Sequence, residues 1–123
     1  MKNTTIQFKN KNTMTPETIL SICSDVLNIP EAEIKGKSRK AEVVIARHIY
    51  CYIAYHKTET VSEKVGLIIN RNHATVLHAL KKICDFLDLN DIIVTSQYNR
   101  VIIKIEENQF NNLVVQDVNL LNL

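Results

Sequence analysis

The chain of 123 residues has only two glycines, two prolines and three cysteines, and it has no tryptophan. Gly36 and Gly66 stand thirty positions apart, so neither a phosphate-cradling loop nor a dinucleotide fingerprint can be assembled from them. No nucleotide site is expected. Glycine and proline together make up ~12% of ordinary sequences and supply the turns of sandwiches and barrels. Their scarcity leaves helices as the natural architecture. Cys23, Cys51 and Cys84 are odd in number, widely spaced and set in apolar runs, which reads as reduced, buried thiols and not as a disulfide framework. No apolar run approaches the ~20 residues of a bilayer span. The first fourteen residues carry Lys2, Lys9 and Lys11 but no apolar stretch of a secretory signal. The expectation is one cytoplasmic domain with no membrane contact.

With 46% hydrophobic and 23% charged residues, the chain can bury a globular core. A net charge of +2 is too small to identify a partner, so the placement of the charges has to decide. Residues 1–14 are polar, basic and aperiodic, and read as a disordered arm. Thr15 suits an N-cap and Pro16 the first helical position; Ile19, Leu20, Ile22, Cys23, Val26 and Leu27 then recur at helical spacing until Pro30 ends the helix. Pro30 opens a short helix over 31–34. The turn Lys35-Gly36-Lys37-Ser38-Arg39-Lys40 follows, without an apolar residue and therefore exposed. From Ala41 to Tyr55 the sequence AEVVIARHIYCYIAY is so uniformly apolar that neighbours must cover most of it, which makes it the central helix. Arg47 lies seven residues after Lys40, on nearly the same face, and the two are expected to reach one anion.

Thr60 and Glu63 have the spacing of a capping box, opening a two-turn helix through Val61, Val65, Leu67, Ile68 and Ile69. Asn70, Arg71 and Asn72 form a polar turn, and Asn72 is placed to cap a helix whose stripe is Val76, Leu77, Leu80, Ile83, Cys84 and Leu87. Short helix, tight turn and amphipathic helix together make a helix-turn-helix. After Asn90 the β-branched residues would suit a hairpin, but Val94, Tyr98, Val101, Ile102 and Ile105 fit a helix, which the helical context favours. The domain is thus expected over 15–108. The tail 109–123 has one charge, Asp117, among Leu113, Val114, Val118, Leu120 and Leu121, and reads either as a last amphipathic turn or as an oligomer contact.

Positive charges not interleaved with acids lie in the turn 35–40 and on Arg71, His78, Lys81 and Lys82. In a helix-turn-helix the N-terminal end of the second helix enters the major groove. Asn72, His73, Ala74 and Thr75 occupy that end. Asparagine can pair with adenine through two hydrogen bonds, histidine can donate to guanine, and threonine can bind phosphate. The basic turn would then reach an adjacent minor groove, with Arg39 as the inserting residue. Lys37, Lys40, Arg47 and Lys81 would hold phosphates. His73 also falls close to the Val76–Leu80 stripe, so spacing alone leaves it as either a base reader or a partly buried capping residue. His48, Cys51 and His56 share one helix but supply too few ligands for zinc. No nucleophile motif or split carboxylate pair is present, so neither an enzyme nor a cofactor is expected.

The stretch Arg71 to Ala79, RNHATVLHA, resembles the signature of the C-terminal DNA-binding domain of the bacterial replication initiator DnaA, typically R-D-H-[ST]-T-V-L-H-A. GKSRKAEVVIARHIYCYIA, from Gly36 to Ala54, is similar to the family's basic loop and central helix, and Val65-Gly66 stands where the family has Ile-Gly. The resemblance covers about residues 16–106. It implies an all-α, six-helix, Trp-repressor-like domain that binds double-stranded DNA in a bacterial or phage setting, at the nucleoid. It further implies that Arg39 enters the minor groove, Arg47 contacts phosphate, His73 reads a base, Thr75 is the second hydroxyl residue, and Lys37 belongs to the basic loop. Lys37, Ser38, Arg39, Lys40, Arg47, His48, Arg71, Asn72, His73, Ala74, Thr75, His78 and Lys81 are accordingly the expected DNA-binding set. Asn72 stands where the family has aspartate, Ala74 where it has serine or threonine, and His48 where it commonly has glutamine. Ser62 and Glu63 replace a Leu-Pro pair, and the turn before Arg71 is one residue shorter. With no ATPase module, the expected role is sequence-preferring DNA binding without ATP hydrolysis. The alternative is a helical protein-interaction adaptor, or a transcriptional regulator that no longer reads the family's DNA site.

Overall fold

The computed structural model describes residues 14–121, with side chains as far as Leu113. Residues 1–13 of the arm expected over 1–14, and the side chains of Val114, Val118, Leu120 and Leu121 in the tail, lie outside the described residues. Among the described residues there are six helices: α1 (Pro16–Leu27), α2 (Glu31–Lys35), α3 (Ala41–Thr58), α4 (Ser62–Ile68), α5 (His73–Asp88) and α6 (Ile92–Leu121). Among the described residues there is no strand, as the shortage of turn formers implies. No helix there is long and apolar enough to cross a membrane.

Helix α1 begins as its sequence requires, with Thr15 Oγ1 accepting from the Thr18 amide at 3.2 Å and Pro16 in the first turn. It stops at Asn28, which adopts the left-handed region at φ 59°, two residues before Pro30. Asn28 is therefore the stop, and Pro30 only starts α2. Met14, at the end of the expected arm, is buried in the core. Helix α3 is central: Val43, Ala46, Ile49, Tyr50, Ile53 and Ala54 are sealed between α1 on one side and α5 on the other. The Tyr50 hydroxyl donates to the Val65 carbonyl at 2.8 Å and ties α4 to α3. Burial raises that phenol well above the ordinary tyrosine range.

Three expectations need correction. The Thr60–Glu63 capping box does not form. Glu59 ends α3 in the left-handed region at φ 53°, and Thr60 Oγ1 pairs with Thr58 Oγ1 at 2.6 Å, so α4 starts later, after an uncapped Val61. Cys84 is exposed while Cys23 and Cys51 are buried. The inward seam of α5 runs through Val76, Ala79 and Ile83, and Leu77 and Cys84, seven apart, both fall one step outside it. The Cys23 and Cys51 thiols are pushed up to about 12 by burial, which makes them inert packing residues.

The segment after Asn90 is helical. Asp91 Oδ1 accepts from the Val94 amide at 3.0 Å, and Val94, Val101 and Ile105 are buried with Tyr98 and Ile102 beside them. This aspartate cap, followed by apolar residues at spacing of three and four, outweighs β-branched content. Helix α6 crosses positions 108 and 109 without a break.

Candidate nucleic-acid interface

Helices α4 and α5 meet at a turn so tight that one residue has to be glycine. A Cβ on Gly66 would lie 2.6 Å from the Arg71 carbonyl oxygen and 3.0 Å from both the Asn72 carbonyl oxygen and Val76 Cγ2. The Gly66 carbonyl accepts from the Arg71 amide at 2.9 Å, closing the turn. Asn70 bends the chain in the left-handed region at φ 62°, a conformation that asparagine tolerates better than most residues.

Asn72 then caps α5, its Oδ1 accepting from the Thr75 amide at 2.9 Å and from Thr75 Oγ1 at 3.1 Å. This geometry corrects two expectations. The Asn72 amide oxygen is occupied by the cap, so two-bond pairing with adenine is not presented and only its Nδ2 remains open. The single hydroxyl proton of Thr75 is likewise spent on Asn72, not offered to a phosphate. His73 and Ala74 are exposed at the helix start, where backbone N–H groups and the helix dipole favour an anion. Of the two readings of His73, the buried one is removed.

In the basic loop Lys37, Arg39 and Lys40 are exposed, and Ser38 is half-buried with its Oγ accepting from the Lys40 amide at 3.3 Å. Among the described residues Lys37 and Arg39 have no hydrogen-bond or ion-pair partner. Arg47 is different, and the expectation that it joins Lys40 on one anion is corrected. It is only 6% exposed. Its Nε donates to the Ile34 carbonyl at 2.8 Å, and its Nη2 faces the carbonyls of Glu33, Gly36 and Ser38 at 3.2, 3.3 and 3.2 Å. Arg71 also points into the protein, with Nη2 donating to the Gly36 carbonyl at 2.6 Å and Nη1 near the Lys35 and Ile69 carbonyls at 3.4 and 3.1 Å. Asn70 Nδ2 adds a bond to the Lys35 carbonyl at 3.3 Å. The loop is thereby brought against the turn before α5. Periodicity reads only which face a residue occupies, so it missed this use of the arginines. The available signal was a five-residue helix with almost every carbonyl orphaned.

On the outer side of α5, His78 is exposed and meets half-buried His48 edge-on, with ring centres 5.9 Å apart. Burial, then His78, Arg47 and Lys82, lower the His48 pKa to about 4. His48 is therefore a neutral side chain near pH 7 and brings no charge to a phosphate. Lys81 is exposed and lies 3.4 Å from Asp85 in an ion pair open to solvent, of the kind worth at most ~1 kcal/mol. Among the described residues no group of three or more histidines, cysteines or acids is placed to hold a metal ion.

A capped helix entered through a glycine-closed turn, with a basic loop fixed beside it, defines a helix-turn-helix domain of the DNA-binding class. The sequence profile described as "Bacterial dnaA protein helix-turn-helix" matches residues 16–83, and the chain belongs to that family. Among its relatives is the chromosomal replication initiator protein DnaA of Borrelia duttonii, 34% identical over an alignment of 99 positions that covers 72% of this chain and 20% of the relative. The protein of the same name from Pseudothermotoga lettingae is 31% identical over 94 residues, 76% of this chain and 21% of the relative. That of Borrelia garinii is 35% identical over 108 residues, 87% and 22% respectively. The chain thus spans about a fifth of the length of the curated relatives it matches.

Proposed function

We infer that this domain binds double-stranded DNA with a sequence preference, as part of marking or competing for replication-origin DNA. The relatives' name, chromosomal replication initiator, supports the origin as target. The N-terminal end of α5 enters a major groove with His73 toward the bases, while Arg39 reaches the flanking minor groove. Lys37, Lys40 and Lys81 contact phosphates, and nucleotide hydrolysis has no part in the step. The observation that carries this reading is the fixed placement of an exposed, unpaired basic loop beside an exposed helix N-terminus headed by His73.

Asn72 and Ala74 lack the carboxylate and hydroxyl of the family motif, and each altered base contact is worth ~1–3 kcal/mol of discrimination. The preferred site therefore differs from the family's usual one, whereas backbone affinity is retained. The test is gel-shift titration on duplexes selected by the protein from a random pool. Arg39→Ala and His73→Ala should each weaken the selected duplex by roughly tenfold or more, consistent with ~1–3 kcal/mol per base contact, with the helical spectrum intact. Unchanged affinity in both variants removes the reading. A second reading, an adaptor that self-associates or takes a protein partner through 109–123, is favoured by Phe110 and Leu113, which are 65% and 50% exposed on α6 beyond the last buried residue described, Ile105.

A further inference from the structure

A helix leaves its last four carbonyls without partners inside the helix, and in α2 that is nearly the whole element. Solvent would satisfy them if the following loop moved freely. Instead three side chains from two other parts of the fold reach three of the four, those of Glu33, Ile34 and Lys35. Arg47 comes from α3 and takes the carbonyls of Ile34 and, through Nη2, of Glu33, Gly36 and Ser38. Arg71 and Asn70 come from the turn before α5 and take those of Lys35 and Gly36. Both guanidinium groups converge on the single Gly36 carbonyl, at 3.3 and 2.6 Å. Among the described residues no carboxylate forms an ion pair with either of them. Gathering two cations in this way is unfavourable, and burial, then Arg71, lowers the Arg47 pKa. The arrangement makes sense if what it holds matters more than the charges it spends.

We propose that Arg47, Arg71 and Asn70 are positioning residues that fasten the basic loop to the turn before α5, so that Arg39 and the α5 N-terminus meet DNA as one preorganised unit. The consequence for affinity rests on the DNA-binding reading above; the fastening itself does not. A loop of glycine, serine and lysines that had to be ordered at each encounter would lose affinity to that ordering, and fixing it in advance removes the loss. Planar guanidinium groups suit the task because each presents several donors in a rigid fork, which an ammonium cannot.

The test uses Arg71→Lys, which keeps the charge and loses the fork, and Asn70→Gly, which accepts the left-handed turn and loses only the amide. In the free protein, backbone ¹⁵N order parameters over 37–40 should fall from about 0.85 to below about 0.6 in Arg71→Lys and by less in Asn70→Gly, with α1 and α3 unchanged. On a duplex selected by the wild type, Arg71→Lys should weaken binding roughly tenfold, but less than about twofold when Arg39 is already alanine, because its effect passes through Arg39. The salt slope should not change. Rigid loops in both variants overturn the proposal, as does an equal loss of affinity in both Arg39 backgrounds, which marks Arg71 as a direct DNA contact. If Arg71→Lys does not fold, Asn70→Gly carries both measurements. If the wild type selects no duplex, the DNA-binding reading fails while the order parameters still decide the fastening.

Discussion

His48 shows how a single side chain changes role with its surroundings. As a sequence letter beside Arg47 it belonged to the expected DNA-binding set; in the fold it is half-buried between α3 and α5 with His78, Arg47 and Lys82 facing it. Its loss of hydration, and then all three neighbours, act against protonation, which takes its pKa from 6.5 to about 4. The consequence for stability has a definite sign. Between these two values the unfolded chain binds a proton that the folded domain refuses, so stability is complete above about pH 6.5 and falls as pH drops toward 4. The partial exposure of the ring reduces the effect to about 1–2 kcal/mol. Urea unfolding at a series of pH values should show this decline between 6.5 and 4.5, and His48→Gln should flatten it by about that amount. An identical pH profile in the variant would mean that the carboxylates alone set acid stability. Arg47 and Asn72 teach the same lesson from geometry. Their chemistry allows DNA contacts, but nearer partners, four carbonyls of α2 and the loop after it in one case and the Thr75 amide and hydroxyl in the other, already occupy the groups that would make them.

At the level of elements, the helices were legible where local chemistry states them. Thr15-Pro16 and Asn72 cap as their types suggest, and the stripe Val94, Tyr98, Val101, Ile102 and Ile105 faces inward as its spacing requires. What could not be read was set by contacts distant in sequence. The capping box at Thr60 fails because Thr60 is drawn back to Thr58 at the end of α3. The loop carbonyls find Arg71 across thirty-five positions. The junction of α4 and α5 lies between these cases, since Gly66 was visible before the turn but its necessity was not. Alanine is ordinarily preferred to glycine within a helix by ~1 kcal/mol. Here the added methyl would meet two backbone carbonyl oxygens, which cannot rotate away as a side chain can. Overpacking of this kind costs typically ~1–3 kcal/mol, and Gly66→Ala should therefore be net destabilising by about 1 kcal/mol, lowering Tm by roughly 5 °C. Calorimetry checks this, and a rise in Tm would show that the turn relaxes. Because the turn also carries Asn70 and Arg71, the variant should bind DNA less tightly even well below its Tm.

For the whole molecule, the fifteen basic and thirteen acidic residues nearly cancel in number, but their placement decides what a polyanion meets. Arg47 and Arg71 are turned inward to loop carbonyls, so two of the positive charges nearest the interface act on the protein itself. Lys37, Arg39, Lys40 and Lys81 remain exposed. Each phosphate neutralised contributes ~0.9 to the slope of log affinity against log salt, so the three phosphate contacts together with the charge that Arg39 brings into the groove give a slope of roughly −4 for duplex DNA. Had Arg47 also been a contact, the slope would be steeper by about one. Lys81→Ala should shift the slope to roughly −3 and weaken selected and random duplexes alike, since a phosphate contact carries no base information. Arg39→Ala should lower the slope as much but penalise the selected duplex more. Its pairing with Asp85 does not shield Lys81 from this role, because an exposed pair at 3.4 Å exchanges readily for a phosphate. Titration of wild type and variants across a salt series on one selected and one random duplex reads all of these quantities together. A flat wild-type slope would transfer the function to the adaptor reading and the exposed face of α6. A steep slope unmoved by Lys81→Ala would confine the contact surface to the basic loop and the first turn of α5.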